Sequence, residues 1–507
     1  MLSRGIKIGG LLALVVIVSV AVLTASRWPF TRASIVGALQ KKFSSTVEVK
    51  TFHETYFTPG FVAEGVTFRR NGDPGVPPIA TIEKLTIQGA YWEFFSSLIG
   101  TTSRVRQVRI EGLHIFASPG SERIGNAAQP AGDPKQSALI IDQIIADGAV
   151  LEFASSDPGT EPLKFAIHEL TLNSVADDRP LSFHVALQNP KPPGEIRADG
   201  HFGPLQAQNA GQTPLSAAYT FQAVNLGVFP GIGGTLASAG KFNGVLERIE
   251  IEGSTDTPDF EVTRSGHTVP LKTQFQGIVN GMNGDVFLQS VRAQLERTSL
   301  VSHVEVAKKA DSEGKSISVD ATEQQGRIQD WLRLLAKADP PAFTGAMNFR
   351  VQVQVPPGKG SFLERVNLLG DFGIDAASFK PTTQEKVDNL SQLAQGEKKN
   401  DDPASVVENL NGHVVMNHAI ATFSTLSFSV PGAQAQVHGT YGLLTEQLNL
   451  HGTLQVDNKL SKGTTGVKSV LLKSVEPFFK KKKGGEIVPI KIGGTFSHPS
   501  FGLDVKP

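Results

Sequence analysis

Apolar and polar residues alternate with a period of two over much of the chain, the signature of extended strands with one face turned towards something apolar. In "QLNLHGTLQV", Leu448, Leu450, Gly452, Leu454 and Val456 fall on one face and Asn449, His451, Thr453 and Gln455 on the other. Comparable rows occur far apart: Leu181, Phe183, Val185 and Leu187; Phe287, Val291, Ala293 and Leu295; Phe349, Val351, Val353 and Val355. Nearer the N-terminus, "VEVKTF", "FVAEGVTFRR", "IEKLTIQGA" and "VRQVRIEGLHIFA" predict successive strands. In the last of these the apolar parity moves from Val108 and Ile110 to Leu113 and Ile115, which predicts a bulge at Gly112. From Ala138 to Phe379 turn residues recur at intervals of about ten, the spacing of an all-β body. No fixed repeat period emerges, which argues against a propeller or a leucine-rich solenoid.

Helical spacing is confined to a few windows. Thr31 is placed to cap a short helix with Ile35, Leu39 and Phe43 on one side, and "YWEFFSSLIG" predicts another between Tyr91 and Ile99. Ile328, Trp331, Leu332 and Leu335 recur at i, i+3, i+4 and i+7, predicting a helix whose apolar stripe packs on the sheet. An amphipathic helix over 466–480 carries Val467, Val470, Leu471, Val475 and Phe478, with Pro477 limiting its last turn. Two stretches rich in small polar residues and Pro or Gly, 119–137 and 381–405, read as a loop and a polar insert. They divide the chain into 29–118, 138–380 and 406–507.

Ile8 to Ala25 are uncharged, with Arg4 and Lys7 before them and Arg27, Trp28 and Arg32 after, enough for one membrane span with an interfacial aromatic. Residues 1–28 are therefore expected to be a short tip and a transmembrane anchor. A cleaved signal peptide is the competing reading, because Ala21 to Ser26 are mostly small, but the apolar run exceeds the usual signal core. Basic residues flank both ends, so the positive-inside rule does not choose the orientation.

Composition narrows the function classes. The 507 residues are 40% hydrophobic, and 48 basic residues balance 48 acidic ones, so no global field points to nucleic acid. With no cysteine there are no disulfides, thiolate metal sites or thiol nucleophiles. Phe outnumbers Tyr and Trp, 30 against 4 and 3, so the aromatic surface lacks the polar handles of base-stacking proteins. Neither a nucleophile elbow, a zinc-protease motif nor a P-loop is present, and the glycines of "GIGGTL" lack a dinucleotide context. His413 and His418, five apart, fall on opposite faces of a regular strand, and Asp371 and Asp375 read as solvated carboxylates. The expectation is a protein that is not an enzyme and has neither cofactor nor metal.

The apolar segment at the N-terminus followed by "VEVKTFHETYFTPGFVAEGVTF", then "GEIRADGHFGPLQ", "TPLSAAYTFQAVNLG", "VPPGKGSFLERVNLLGDFGIDAASF" and finally "VPIKIGGTFSHPSFGLDV" resembles the AsmA-like family of bacterial envelope proteins. The resemblance runs from Met1 to Val505 and rests on the order of the pieces. It implies a mainly β fold: a transmembrane helix, then an elongated, curved antiparallel β-sheet groove with a few short packing helices. It also implies a chorein-like module at 29–118, a central groove body at 138–380, and an AsmA-like β region at 406–507. The anchor would sit in the bacterial inner membrane with Met1 in the cytoplasm and the bulk in the periplasm. The implied role is phospholipid transport or homeostasis between inner and outer membrane.

On that footing the groove-facing candidates are Val108, Ile110, Val185, Leu187, Val351, Val353, Leu448, Leu450 and Leu454. Such a row holds acyl chains without directional contacts, each buried CH2 contributing about 0.8 kcal/mol. Alternation alone favours a closed β-sandwich, in which a second sheet covers identical rows, and it is the resemblance that turns the reading towards an open groove. Phe478, Phe479, Lys480, Lys481, Lys482 and Lys483 combine aromatics with four positive charges, which suits anionic lipid headgroups; the plain alternative is a solvated helix end. A rival function is a non-enzymatic interaction protein that assists outer-membrane protein assembly through an exposed sheet edge. An envelope hydrolase is the weakest reading.

Overall fold

The computed structural model describes residues 32–43, 45–55, 60–70, 78–89, 102–117, 138–154, 161–176, 178–206, 209–308, 314–341, 343–358, 360–379, 407–430, 433–456, 480–482, 485–496 and 498–504. The chain forms two compact units, one of Met1–Val228, Leu236–Thr255 and Phe275–Val286, the other of Phe229–Thr235, Asp256–Gln274 and Phe287–Pro507. Both are mainly β.

The first unit opens with helix α1 (Arg32–Phe43) and continues through β1 (Ser45–Thr55), β2 (Gly60–Arg70), β3 (Ala80–Gln88), β4 (Thr102–Glu111), β5 (His114–Ala117), β6 (Ala138–Phe153), β7 (Leu163–Val175), β8 (Leu181–Pro190), β9 (Pro193–Phe202) and β10 (Pro214–Asn225). Val47 and Val49 point inwards from β1 while Thr46, Glu48 and Lys50 point out, as their alternation requires. Neighbours in sequence pair antiparallel from β1 to β3 and again from β6 to β10. Between these runs β4 and β5 pair in parallel with β6, Val108 opposite Ile144 and Ile110 opposite Ala146. A parallel pair needs a long connection, so the stretch read as a boundary joins two paired strands. Gly112 lies between β4 and β5 with φ +62°, the conformation a glycine adopts most readily, and Leu113 and Ile115 resume the buried row beyond it. Phe61, Ile82, Leu85, Ile141 and Leu172 form one core with Ile35 and Leu39 of α1.

Then come β11 (Ile232–Gly233), β12 (Thr235–Val245), β13 (Arg248–Val262), β14 (Thr268–Val279), β15 (Val286–Leu295), β16 (Thr298–Lys308), β17 (Lys315–Arg327), α2 (Ile328–Leu335), β18 (Phe343–Val355), α3 (Phe362–Arg365), β19 (Asn367–Phe379), β20 (Glu408–Asn417), β21 (Ile420–Val430), β22 (Ala433–Gly442), β23 (Leu448–Val456), β24 (Lys480–Lys482), β25 (Gly485–Gly494) and β26 (Pro499–Leu503). In the second unit an antiparallel meander runs from β16 to β23. β25 then pairs with β23, β24 and β26. One core joins Ala435, Val437, Leu450, Leu454, Ile490 and Ile492; smaller ones lie under α2 and around Val355 and Met416.

Three expectations need correction. Phe287 does not share the buried row of β15: it is 41% exposed, while Val291 and Leu295 are buried. The inward parity of that strand changes near Ser290, where half-buried Leu288 and Ser290 give way to Val291 and Ala293. Leu335 is exposed because α2 ends with it, and Leu334 carries the burial instead. Lys480 does not end a helix: Lys480–Lys482 form a strand paired with Gly485–Ile487. The rest of the predicted helix 466–480, with Phe478, Phe479 and Lys483, lies outside the described residues, as do the apolar segment 8–25, the predicted helix at 91–99, the loop 119–137 and the insert 381–405. Among the described residues no helix is long and apolar enough to cross a membrane.

Candidate apolar binding faces

The nine groove candidates separate by exposure. Val108, Ile110 and Leu187 belong to the closed core of the first unit at 1%, 0% and 3% exposed, and Leu450 and Leu454 to that of the second at 5% and 2%. The protein itself covers these five. Val185, Val353 and Leu448 are half-buried at the margins of the cores they pack against, and Val351 is half-buried as well.

In the first unit the open face lies on strands whose apolar rows the sequence reading had not singled out. Along β12, Leu236, Ser238, Gly240 and Phe242 are half-buried and alternate with exposed Ala237, Ala239, Lys241 and Asn243. Along β13, Ile251 and Gly253 alternate with exposed Glu250, Glu252 and Ser254. Glycine shapes this face. A Cβ on Gly240 would crowd the Tyr219 ring, and one on Gly253 would meet the tip of Phe275 at 2.8 Å and the Tyr219 hydroxyl at 3.2 Å. The two rings therefore lie low over backbone that has no side chain. Phe242 flanks them, its centroid 6.3 Å from that of Tyr219, and the Tyr219 hydroxyl meets Ser238 Oγ at 3.3 Å. The result is a shallow apolar floor whose polar edges are hydrogen-bonded. On the opposite face Lys241 and Glu252 form an exposed ion pair.

In the second unit Phe349, Val351, Val353 and Val355 share one face of β18; the ends are buried and the middle two half-buried. Helix α2 sits on this face. Its Trp331 meets Phe349 edge-on at 5.5 Å, and its Leu334 packs with Val262, Val269 and Leu295. Two carboxylates are buried with it, which the apolar stripe did not foretell. Asp330, 3% exposed, accepts hydrogen bonds from the Thr298 hydroxyl at 2.8 Å and the Arg297 amide at 3.2 Å. Glu323, 2% exposed, accepts from the Trp331 indole at a long 3.4 Å through Oε2, while Oε1 has no hydrogen-bond partner. Burial pushes the Glu323 carboxyl up to about 7; the neighbouring Asp330 charge adds to the rise, and the Trp331 indole and the nearby Gly326 amide oppose it.

The solvent faces pair their charges across neighbouring strands. Arg104 meets Asp142, Arg109 meets Asp147, and His184 meets Asp199 at 2.6 Å. His413 is 2.7 Å from Asp371, whereas His418 lies exposed in the turn before β21. Among the described residues no group of three or more His, Cys, Asp or Glu could hold a metal ion.

A signal for the first-unit floor was present: "SAGKFNG", "IEIEGST" and "LKTQFQG" alternate strictly. Their serines, threonines and glycines lowered the apolar count that made other rows conspicuous. No protein-family model matches the chain, and no curated protein matches it.

Proposed function

We propose that the protein binds phospholipid acyl chains on its half-buried apolar faces, as a membrane-anchored component of the bacterial envelope that carries or balances lipids between the inner and outer membranes. One observation carries the reading: Tyr219, Phe242, Ile251 and Phe275 in the first unit, and Val351 and Val353 in the second, keep apolar surface open to solvent in rows that alternate with charged or polar outward residues. Water pays a cost at such a row that an acyl chain relieves, at about 0.8 kcal/mol per buried CH2, with no directional bond required. The headgroup stays in solvent at the rim. The resemblance to the AsmA-like family adds the inner-membrane anchor at 8–25, the periplasmic location of the bulk and the chorein-like groove. In the same reading Lys480–Lys483 with Phe478 and Phe479 meet anionic headgroups at a membrane surface.

Mass spectrometry of lipids co-purified with the detergent-extracted full chain tests the proposal. Stoichiometric phospholipid is the expected result. Its absence overturns the proposal and leaves the non-transporting interaction protein.

A further inference from the structure

Helix α2 covers part of the candidate face of the second unit, and the way it is held is unusual. Its apolar side is Ile328, Trp331, Leu332 and Leu334, while two buried carboxylates lie beneath or within its first turn. Asp330 is fully accounted for: it ties the helix to the start of β16 through Thr298 and Arg297, and Thr298 Oγ1 in turn accepts from the Arg327 amide at 3.0 Å. Glu323 is not. It sits at an irregularity where the β17–β18 register slips between Glu323 and Gly326, folded so closely against Gly326 that a Cβ there would collide with the carboxyl. Across β18 it faces Phe349, and Gly326 faces Met347, neither of them titratable. From α2 it faces Trp331 and Asp330, one a weak donor and the other a like charge. On the outer side of the helix Arg333 pairs with Glu296 at 2.9 Å, and among the described residues no cation acts on the Glu323 carboxyl. At the helix C-terminus His267 Nδ1 lies 3.2 Å from the Ala336 carbonyl. An ionised carboxylate in the Glu323 position has no counter-charge and one orphaned oxygen, an arrangement whose cost is relieved by a proton or by opening to water.

We propose that Glu323 is a proton-operated latch: with the carboxyl protonated, α2 stays seated over Phe349, and when the proton leaves to solvent the helix lifts and uncovers that face. The shifted titration range of this carboxyl accords with such a latch. The seated state holds its proton up to about pH 7, and a solvated Glu323 releases it near 4.5, so opening grows as the pH climbs between those values and levels off above. That the uncovered face then takes an acyl chain rests on the lipid reading above; the latch does not.

The cysteine-free chain makes the test direct. Single thiols are placed at buried Leu334 (Leu334→Cys) and exposed Leu335 (Leu335→Cys) of the full-length protein in detergent, and their labelling rates by a maleimide are compared. Taking the ratio cancels the pH dependence of the thiol chemistry. The ratio is expected to rise about fortyfold from pH 5 to pH 7, the change that one proton bound with these two affinities produces. It stays flat in Glu323→Gln, which keeps the shape of the protonated acid, and still rises in His267→Gln. A rise below about tenfold, an equal rise in Glu323→Gln, or its loss in His267→Gln overturns the latch, since one proton moves the ratio about fortyfold over this range. Hydrogen exchange of the α2 amides, normalised to those of α1, follows the same titration without any cysteine and serves if Leu334→Cys does not fold. Uptake of a fluorescent phosphatidylcholine from vesicles is read alongside at pH 5 and pH 7. A titrating ratio with no uptake at either pH keeps the latch and removes the lipid reading; equal uptake with a flat ratio does the reverse.

Discussion

A charge placed on the apolar rows separates a binding face from a core, and Val351 and Leu450 in the second unit form a matched pair for it. Leu450 is 5% exposed in the core with Val437 and Ile490, and its partner on β25 is the buried Ile492. Leu450→Asp forfeits about 2 kcal/mol of leucine burial. It also places a carboxyl where desolvation adds several kcal/mol, or forces it to stay protonated. The sum, about 5 kcal/mol, rivals the whole stability of a typical domain. Val351 is only half-buried, between Gln352 and Arg350 on a strand whose outward residues are exposed. A carboxylate at this position reaches water, so Val351→Asp is expected to cost about 1 kcal/mol. The assay pairs urea unfolding followed by circular dichroism with the phospholipid content of the purified protein. Leu450→Asp is expected to lose the second unit's transition at native conditions; Val351→Asp keeps it and loses bound lipid. If Val351→Asp unfolds as Leu450→Asp does, the middle of β18 is core. If it folds and retains its full lipid, the face is not where the acyl chain lies.

Glu323→Gln should remove a pH slope from stability: the folded carboxyl holds its proton to about pH 7 and the unfolded one to about 4.5, so the natural protein weakens as pH rises through that window and is level above it. The variant gains on it by at most about 3 kcal/mol at pH 7.5 relative to pH 4.5, read from urea midpoints at the two values. Gly452→Ala, in the middle of β23, drives a methyl into the Gln436 carbonyl and the Val437 backbone across the strand pair. A loss of about 1–3 kcal/mol is expected from such overpacking, measured as a lowered thermal midpoint. Leu39→Ala on α1, 2% exposed against the first core, is expected to cost about 2–5 kcal/mol and to speed hydrogen exchange throughout that unit while leaving β18 to β23 unchanged.

What the sequence makes legible is whatever depends on near neighbours. Period-two alternation places β1 to β4, β8, β18 and β23, because adjacent side chains on an extended chain must point apart whatever lies beyond them. The parity change at Gly112 is legible for the same reason, a local kink at the residue best able to adopt positive φ. What fails is what distant partners decide. The stripe of α2 predicts Leu335 inside, yet an eight-residue helix has little more than two turns, and Val269 and Leu295 meet Leu334 instead. Asp330 is buried because Thr298 and Arg297, more than thirty residues earlier, supply its donors. Glu323 in "ATEQQGR" looks like a solvated glutamate, and only the slipped register with β18 encloses it. The parallel pairing of β4 with β6 is hidden too, since no run of residues records which earlier strand the chain returns to.

The distinction between core and open face belongs to the same class, and it turns on side-chain size as much as on pattern. Both β2 and β12 carry alternating rows, but Phe61, Ala63, Val66 and Phe68 of β2 are all buried, the row changing parity at Gly65, whereas Leu236, Ser238, Gly240 and Phe242 of β12 are only half-buried. On β2 the row packs into the first unit's core with Ile82, Leu85 and Leu172. On β12 and β13 Gly240 and Gly253 leave gaps at backbone level, and Tyr219 and Phe275 lie down into them. Tyr219 and Phe275 are half-buried, so the rings that fill these gaps also keep part of their apolar surface exposed. A surface that must accept a long, featureless apolar ligand gains a smooth floor without directional groups. Glycine opposite aromatic, rather than the longest run of valines and leucines, is therefore the pattern that marks where an acyl chain would rest in the first unit.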